Sequence, residues 1–166
     1  MQTQVSGPED LMAHQLAEML YVERTLADEV LPQLRQEVEN DQLRQGIEAH
    51  LDQTRQHATN IERAFEMLGR PTEAQRSPAL EGLKQAHDEV APQIGAPALR
   101  DIFDAEAAAK TEHLEIAAYK GMITMADQMG MGELRDLLQQ NCRQEEQTLQ
   151  ELESMTSTLS QAVARA

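Results

Sequence analysis

Apolar residues recur at three- and four-residue steps through four long segments, the period of a helix with one buried face. The first segment runs from about Pro8 to Glu39, with Leu11, Leu16, Leu20, Leu26, Val30 and Leu34 in its stripe. A turn near Asn40 separates it from the second, which starts at Asp41 as the expected N-cap and carries Leu43, Ile47, Leu51, Ile61, Phe65 and Leu68 to a stop at Gly69. A short helix over Pro78 to about Val90, carrying Leu80, Leu83 and Val90, falls inside the long connection that follows. The third long helix starts after Pro97 and passes through Leu99, Ile102, Ala105, Ala109, Ile116, Tyr119, Ile123 and Ala126 to about Met129. Gly130-Met131-Gly132 reverses the chain, and the fourth helix takes Leu134, Leu138, Leu149, Leu152 and Met155. Residues 156–166, rich in Ser, Thr and Ala, are expected to fray.

Two helical hairpins joined by a long crossover predict an all-α fold, a four-helix bundle of ferritin-like connectivity with a fifth short helix. The chain reads as a single domain over residues 1–166, with its core over about 9–155. Only 2% of residues are aromatic, so Leu, Ala, Ile, Val and nine Met must fill the core, which suits helices packed on helices. Lys and Arg number 14 against 29 Asp and Glu, and the net charge of -15 repels phosphate backbones and anionic lipids. Nucleic acid and membrane surfaces are therefore not expected as partners. Cys142 has no second cysteine to pair with, the opening residues lack the order of a signal peptide, and no run nears the roughly 18 to 20 apolar residues of a membrane span. A soluble protein of a reducing, bacterial-type cytoplasm is expected.

Each apolar stripe contains polar residues that should not be there. In the first helix the intruder is Glu23; in the second, His50, Thr54 and His57, with Gln53 on the flank; in the third, Glu112 and Glu115; in the fourth, Asn141, Glu145 and Thr148. A carboxylate removed from water without a partner costs several kcal/mol or takes up a proton, so inward acids at matched depth on several helices need a cause. A bound cation supplies one, because iron or manganese accepts carboxylate oxygen and neutral imidazole nitrogen. Glu23, His57, Glu112, Glu115 and Glu145 offer that set. The alternatives are inward salt bridges to Arg or Lys, such as Arg24 or Arg55, or acids that face solvent.

These residues sit in text that resembles the YciE/YciF-like family, stress-associated bacterial proteins of ferritin-like fold. The matching pieces are Leu20 to Leu26 with Leu31-Pro32-Gln33-Leu34, His50 to Thr54, Ile61-Glu62-Arg63, Leu80 to Leu83, Glu112 to Tyr119, and Leu137-Leu138 followed by Glu145. The Glu112 to Tyr119 segment is the most specific, and also looks like the Glu-to-Tyr helix of rubrerythrin-type proteins. The resemblance implies a di-iron-type carboxylate site, with Glu23 and Glu112 as paired acids, Glu115 nearby, Glu145 from the fourth helix and His57 as the nitrogen donor. It also implies departures. Where such proteins carry Glu-x-x-His on the second and fourth helices, this chain reads Thr54-x-x-His57 and Glu145-x-x-Thr148, and Gln53 stands where the family commonly has an acid. The ligand shell is thereby reduced, and one or two ions of iron or manganese per chain are expected.

Supporting roles fall to His50, Gln53, Thr54, Tyr119 and Thr148. His50 lies one heptad from His57, about 10 Å along the helix axis, and is either a second nitrogen ligand or a core histidine. Tyr119 either orients a glutamate or reduces an oxidant, or is a core tyrosine with a satisfied hydroxyl. His113 points roughly 100° away from Glu112, Glu146 is read as solvated, Cys142 as a small buried hydrophobe, and His14 and His87 have no partner identifiable from sequence. Met122, Met125, Met129 and Met131 are read as deformable core or dimer contacts. The expected function is a metal-binding bundle, a homodimer, whose open coordination position meets oxygen or peroxide in a stress response. Weak ferroxidase or peroxidase-type activity is compatible with it, and enzymatic turnover is left open. The rival is a metal-free helical interaction protein with a decayed site, whose acidic face binds a basic partner.

Overall fold

A computed structural model describes residues 5–166; the expected absence of a leader falls partly on residues 1–4, outside that range. Helix α1 spans Pro8–Thr25, a π-helical turn follows over Leu26–Val30, and α2 spans Leu31–Glu37. Helix α3 spans Asp41–Met67, α4 Pro78–Val90, a short 3-10 turn Ala91–Gln93, α5 Pro97–Gln128 and α6 Gly132–Ala164. There are no strands among the described residues.

The sequence reads as one helix through Pro8 to Glu39, and the structure corrects this at Pro32. Proline has no N–H for the carbonyl four residues back, and its ring crowds that carbonyl. The chain widens for one turn, so that the Leu31 N–H reaches the Leu26 carbonyl five residues earlier, and then resumes as α2. The cap of α3 also moves by one. Asn40, not Asp41, accepts from the Leu43 N–H at 2.9 Å, while Asp41 pairs with Arg44 at 2.6 Å. Gly69 (φ 64) and Gly130 (φ 71) close α3 and α5 in the left-handed conformation, which lets the N–H of Arg70 reach the Phe65 carbonyl and that of Met131 the Ala126 carbonyl.

Cross-chain contacts fix the topology. Arg70 bonds Asp10 at 2.6 Å, so the end of α3 lies beside the start of α1. Asp101, near the start of α5, accepts the N–H groups of Glu39 and Asn40 at 3.0 and 2.8 Å, so α5 starts at the opposite end. The crossover, residues 68–96, therefore runs the length of the bundle, held to α1 by the Gln75 N–H on the Ala17 carbonyl and seated by the buried Leu80. Helix α1 packs on α3 and α5, and α6 on α5 and α3. Every neighbouring pair is antiparallel.

Met12, Leu16, Leu20, Ile61, Phe65, Met122, Leu134 and Leu138 fill the core between these helices. The expected fraying of residues 156–166 is corrected: α6 continues to Ala164, because Leu159 still packs on the core and Thr158 bonds back to the Ser154 carbonyl at 3.0 Å. Among the described residues no helix is long and apolar enough to cross a membrane.

Asp101 ties the α2–α3 turn to α5, and its replacement strands two N–H donors. Asp101→Ala should cost about 2 kcal/mol, read as a lower urea midpoint at unchanged slope.

Candidate metal centre

Glu23 closes the last regular turns of α1 just before the π turn, where the stripe that buries Leu16 and Leu20 carries it inward. His50 and His57 project from α3, Glu112 and Glu115 from α5, and Glu145 from α6; each is at most 6% exposed. The structure brings them together as two triads that share Glu145, namely Glu23, His57 and Glu145, and His50, Glu112 and Glu145. His57 Nδ1 lies 2.7 Å from one oxygen of Glu145 and 3.6 Å from Glu23. His50 Nε2 lies 2.9 Å from Glu112 and 3.9 Å from the other oxygen of Glu145. Glu115 stands beside the triads rather than within either. Both its oxygens are buried and reached by no donor, as are Glu23 Oε2 and Glu112 Oε2.

His50, open on the sequence between nitrogen ligand and core histidine, stands among the acids. The axial gap between the two histidines is real, and a single carboxylate spans it because its two oxygens face opposite ways. The other supporting residues do different work. The Thr54 hydroxyl is taken by the His50 carbonyl of its own helix at 2.9 Å. Thr148 Oγ1 lies 3.3 Å from His50 Nδ1 and 3.5 Å from the half-buried Gln53, so the pair orients the ring whose far nitrogen faces the acids. Tyr119, fully buried, donates to Glu23 Oε1 and accepts from Asn141 at 3.1 Å.

Two orienting residues escape the sequence reading. Gln144 accepts at 2.7 Å from His57 Nε2, which leaves Nδ1 facing the acids, and Asn60 donates to Asn141 at 2.7 Å. Gln144 lies three residues after Asn141 and four before Thr148, so the same periodicity that exposes Glu145 could have found it. The expected alternative of inward arginine is corrected: Arg24 pairs with Glu62 at 2.8 Å and Arg55 with Asp52 at 3.3 Å, both on the outside. His14 and His87 do have partners, Glu18 at 3.9 Å and Asp104 at 2.8 Å. Glu146 is exposed against Lys120, His113 is exposed, and Cys142 is buried.

Burial and mutual repulsion govern the protons here. Burial drives Glu115 well above the usual carboxylate range, with Glu145, Glu23 and Glu112 adding repulsion. Burial likewise raises Glu23, against hydrogen bonding from His57, and raises Glu112 to about 8, against its contact with His50. Burial pushes Glu145 up too, but the hydrogen bonds of His57 and Glu112 outweigh it and leave this carboxyl below its ordinary value. Burial lowers both histidines, and the acids beside them reverse that, raising His50 to about 9 and His57 to about 10. Without an ion the cluster is neutralised by its own protons. With imidazole nitrogen and unpartnered carboxylate oxygen converging from four helices, the residues present also fit a metal ion.

A family profile described as "Domain of unknown function (DUF892)" matches residues 7–165, and the chain belongs to that family. It is 30% identical to the protein YciF of Escherichia coli (strain K12) over 141 residues, 84% of each chain. Two solved structures share its fold and a part of its sequence. One is the E. coli stress protein YciF, with a TM-score of 0.87 at 28% identity, covering 97% of this chain and 99% of that one. The other, described as YcfI, a putative structural protein from Rhodopseudomonas palustris, has a TM-score of 0.88 at 27% identity over 92% and 97%. A protein of Xanthomonas campestris pv. campestris, at 17% identity and a TM-score of 0.77 over 96% and 97%, shares the fold.

In the chelator-treated protein, stability should fall as pH rises from 6 to 9. A group whose folded pKa is raised holds its proton more tightly when folded, so its stabilisation is complete below the unfolded value and is lost through the folded one. For His50 and His57 that window runs from about 6.5 to 9 and 10, and for Glu112 from about 4.5 to 8. Glu145, shifted the other way, acts only in acid. Melting followed by circular dichroism across this range checks the sign.

Proposed function

We propose that the protein binds one or two iron or manganese ions in this centre and serves a redox role in a bacterial stress response. The observation that carries the reading is the set of buried carboxylate oxygens on Glu23, Glu112 and Glu115 that no donor reaches. In an apolar core such groups are costly, and a cation is what relieves them. The stress role is supported by kinship to YciF, described as a stress protein.

On this reading Glu23, His57 and Glu145 hold one ion, and His50, Glu112 and Glu145 hold a second, with Glu115 within reach as charge compensation. Iron or manganese in such a site supplies one-electron chemistry toward oxygen or peroxide. The chain's own contribution is to orient and exclude. Gln144 fixes the His57 tautomer, and Thr148 meets the Nδ1 side of His50. Tyr119 holds Glu23 in place through a proton it donates, with Asn141 bonded to its oxygen. The apolar stripes bury most of each ligand side chain. The protein is expected to act as a homodimer in the cytoplasm.

Elemental analysis of untagged protein purified without chelator tests the reading. Iron or manganese near one or two per chain, lost in Glu145→Ala, supports it. Ions must displace the histidine protons, so calorimetric titration with manganese in two buffers of different ionisation enthalpy should show proton release, and affinity should rise with pH. A second reading is favoured by the close His57–Glu145 and His50–Glu112 pairs at 2.7 and 2.9 Å, which can neutralise the cluster unaided. In it the protein is a metal-free helical interaction protein. Wild type that refuses added ferrous and manganous ions, with Glu112→Gln no less stable, would establish that instead.

A further inference from the structure

A centre this buried needs a way in, and the structure contains a directional one. A cavity of about 180 Å³ lies between α2, α4 and α5. His50 and Glu112 form its inner end, where Glu112 Oε2 has no donor. Its outer rim carries Glu29, paired with Lys84 at 3.0 Å, and Asp88, bonded to His87 at 3.1 Å, the two acids 66% and 68% exposed, and its walls include Leu26, Val30 and Leu83. Leu26 and Val30 belong to the π turn, so the widened backbone forced by Pro32 is itself one wall.

Asp104 also lines this cavity, and it is wholly buried. One of its oxygens is held by His87 Nε2 at 2.8 Å and by Arg100 Nε at 2.9 Å, while the other has no partner. Carboxylate therefore stands at the rim, along the wall and at the inner end. A hydrated cation losing waters along such a path finds oxygen to replace them, and the net charge of -15 favours its approach to the rim. A second cavity, about 610 Å³, reaches His50 and Glu112 between α3 and α6, but its rim offers Gln42, Gln45 and apolar side chains with Glu151 as the outer carboxylate.

We propose, on the metal-binding reading above, that the cavity between α2, α4 and α5 is the inlet for a divalent transition-metal cation, with the free oxygen of Asp104 as its intermediate ligand. The route passes His87, which closes over Asp104 with its ring stacked on Phe103 at 5.5 Å between centroids.

Stopped-flow loading of the full chain with cobalt(II), followed by its visible absorption, tests this. Asp104→Asn should slow loading by about tenfold with the final stoichiometry unchanged, and Asp88→Lys, an exposed position whose one side-chain bond is to His87 at 3.1 Å, should slow it several-fold at low salt and converge on wild type as salt rises. Ala107→Phe, which fills the cavity, should slow it further. Gly46→Leu, at the second cavity and with open space around its Cβ, should leave the rate unchanged. If Asp88→Lys and Ala107→Phe load at the wild-type rate, or Gly46→Leu is the slow variant, the inlet is wrong although the metal centre stands. If wild type takes up no cobalt, the metal reading fails and the inlet falls with it.

Discussion

Charge held away from water at the middle of the bundle is the constraint on which the rest of this structure depends. Glu23, Glu112, Glu115 and Glu145 arrive from three helices at one depth, and none is more than 2% exposed. Four ionised carboxylates so placed would repel one another in a medium that screens little, and the fold would not tolerate them. The solution visible in the residues is a set of protons and partners. Two imidazoles lie against the acids, Tyr119 gives Glu23 a hydrogen bond, and Gln144, Thr148 and Asn141 hold His57, His50 and Tyr119 from behind. Asn141 is itself buried, and so needed a partner of its own. This explains why polar residues extend outward through Asn141 and Asn60 to the exposed Gln56.

Much of this was legible in the sequence because helical periodicity is insensitive to detail. A stripe at three- and four-residue steps places Glu23, Glu112, Glu115 and Glu145 inward whatever the packing angle, and Pro and Gly marked the ends of α3, α4 and α5 to within a residue or so. What was less legible depended on backbone local to one residue or on distance across the bundle. The π turn follows from the missing N–H of Pro32, which a pattern of apolar positions does not register. Asn40 and Asp41 are both good caps, and only the path of the turn chooses between them. The place of His50 among the acids was not legible because axial spacing along one helix says nothing of carboxylates on another.

Acids paired with arginine would behave differently from the pairs that are found. Guanidinium would neutralise the cluster permanently, since it does not give up its proton. Histidine neutralises it conditionally, and the same nitrogen that carries a proton can instead turn a lone pair to an ion. A cluster built from Glu and His can therefore rest in either of two neutral states, one with protons and one with a cation, at little cost in rearrangement.

The crossover, by carrying the chain the full length of the bundle, makes every adjacent pair of long helices antiparallel. Peptide dipoles of neighbours then oppose one another, and the partial charges at helix ends act only over the first and last turns. Apart from Glu23, which ends α1 where the chain runs on into the π turn, the acids and histidines lie several turns from the ends of α3, α5 and α6, where no axial field is available to favour either sign of charge. Their electrostatics is consequently a property of the side chains that touch them, and helices trimmed or lengthened at their tips would leave it unaltered.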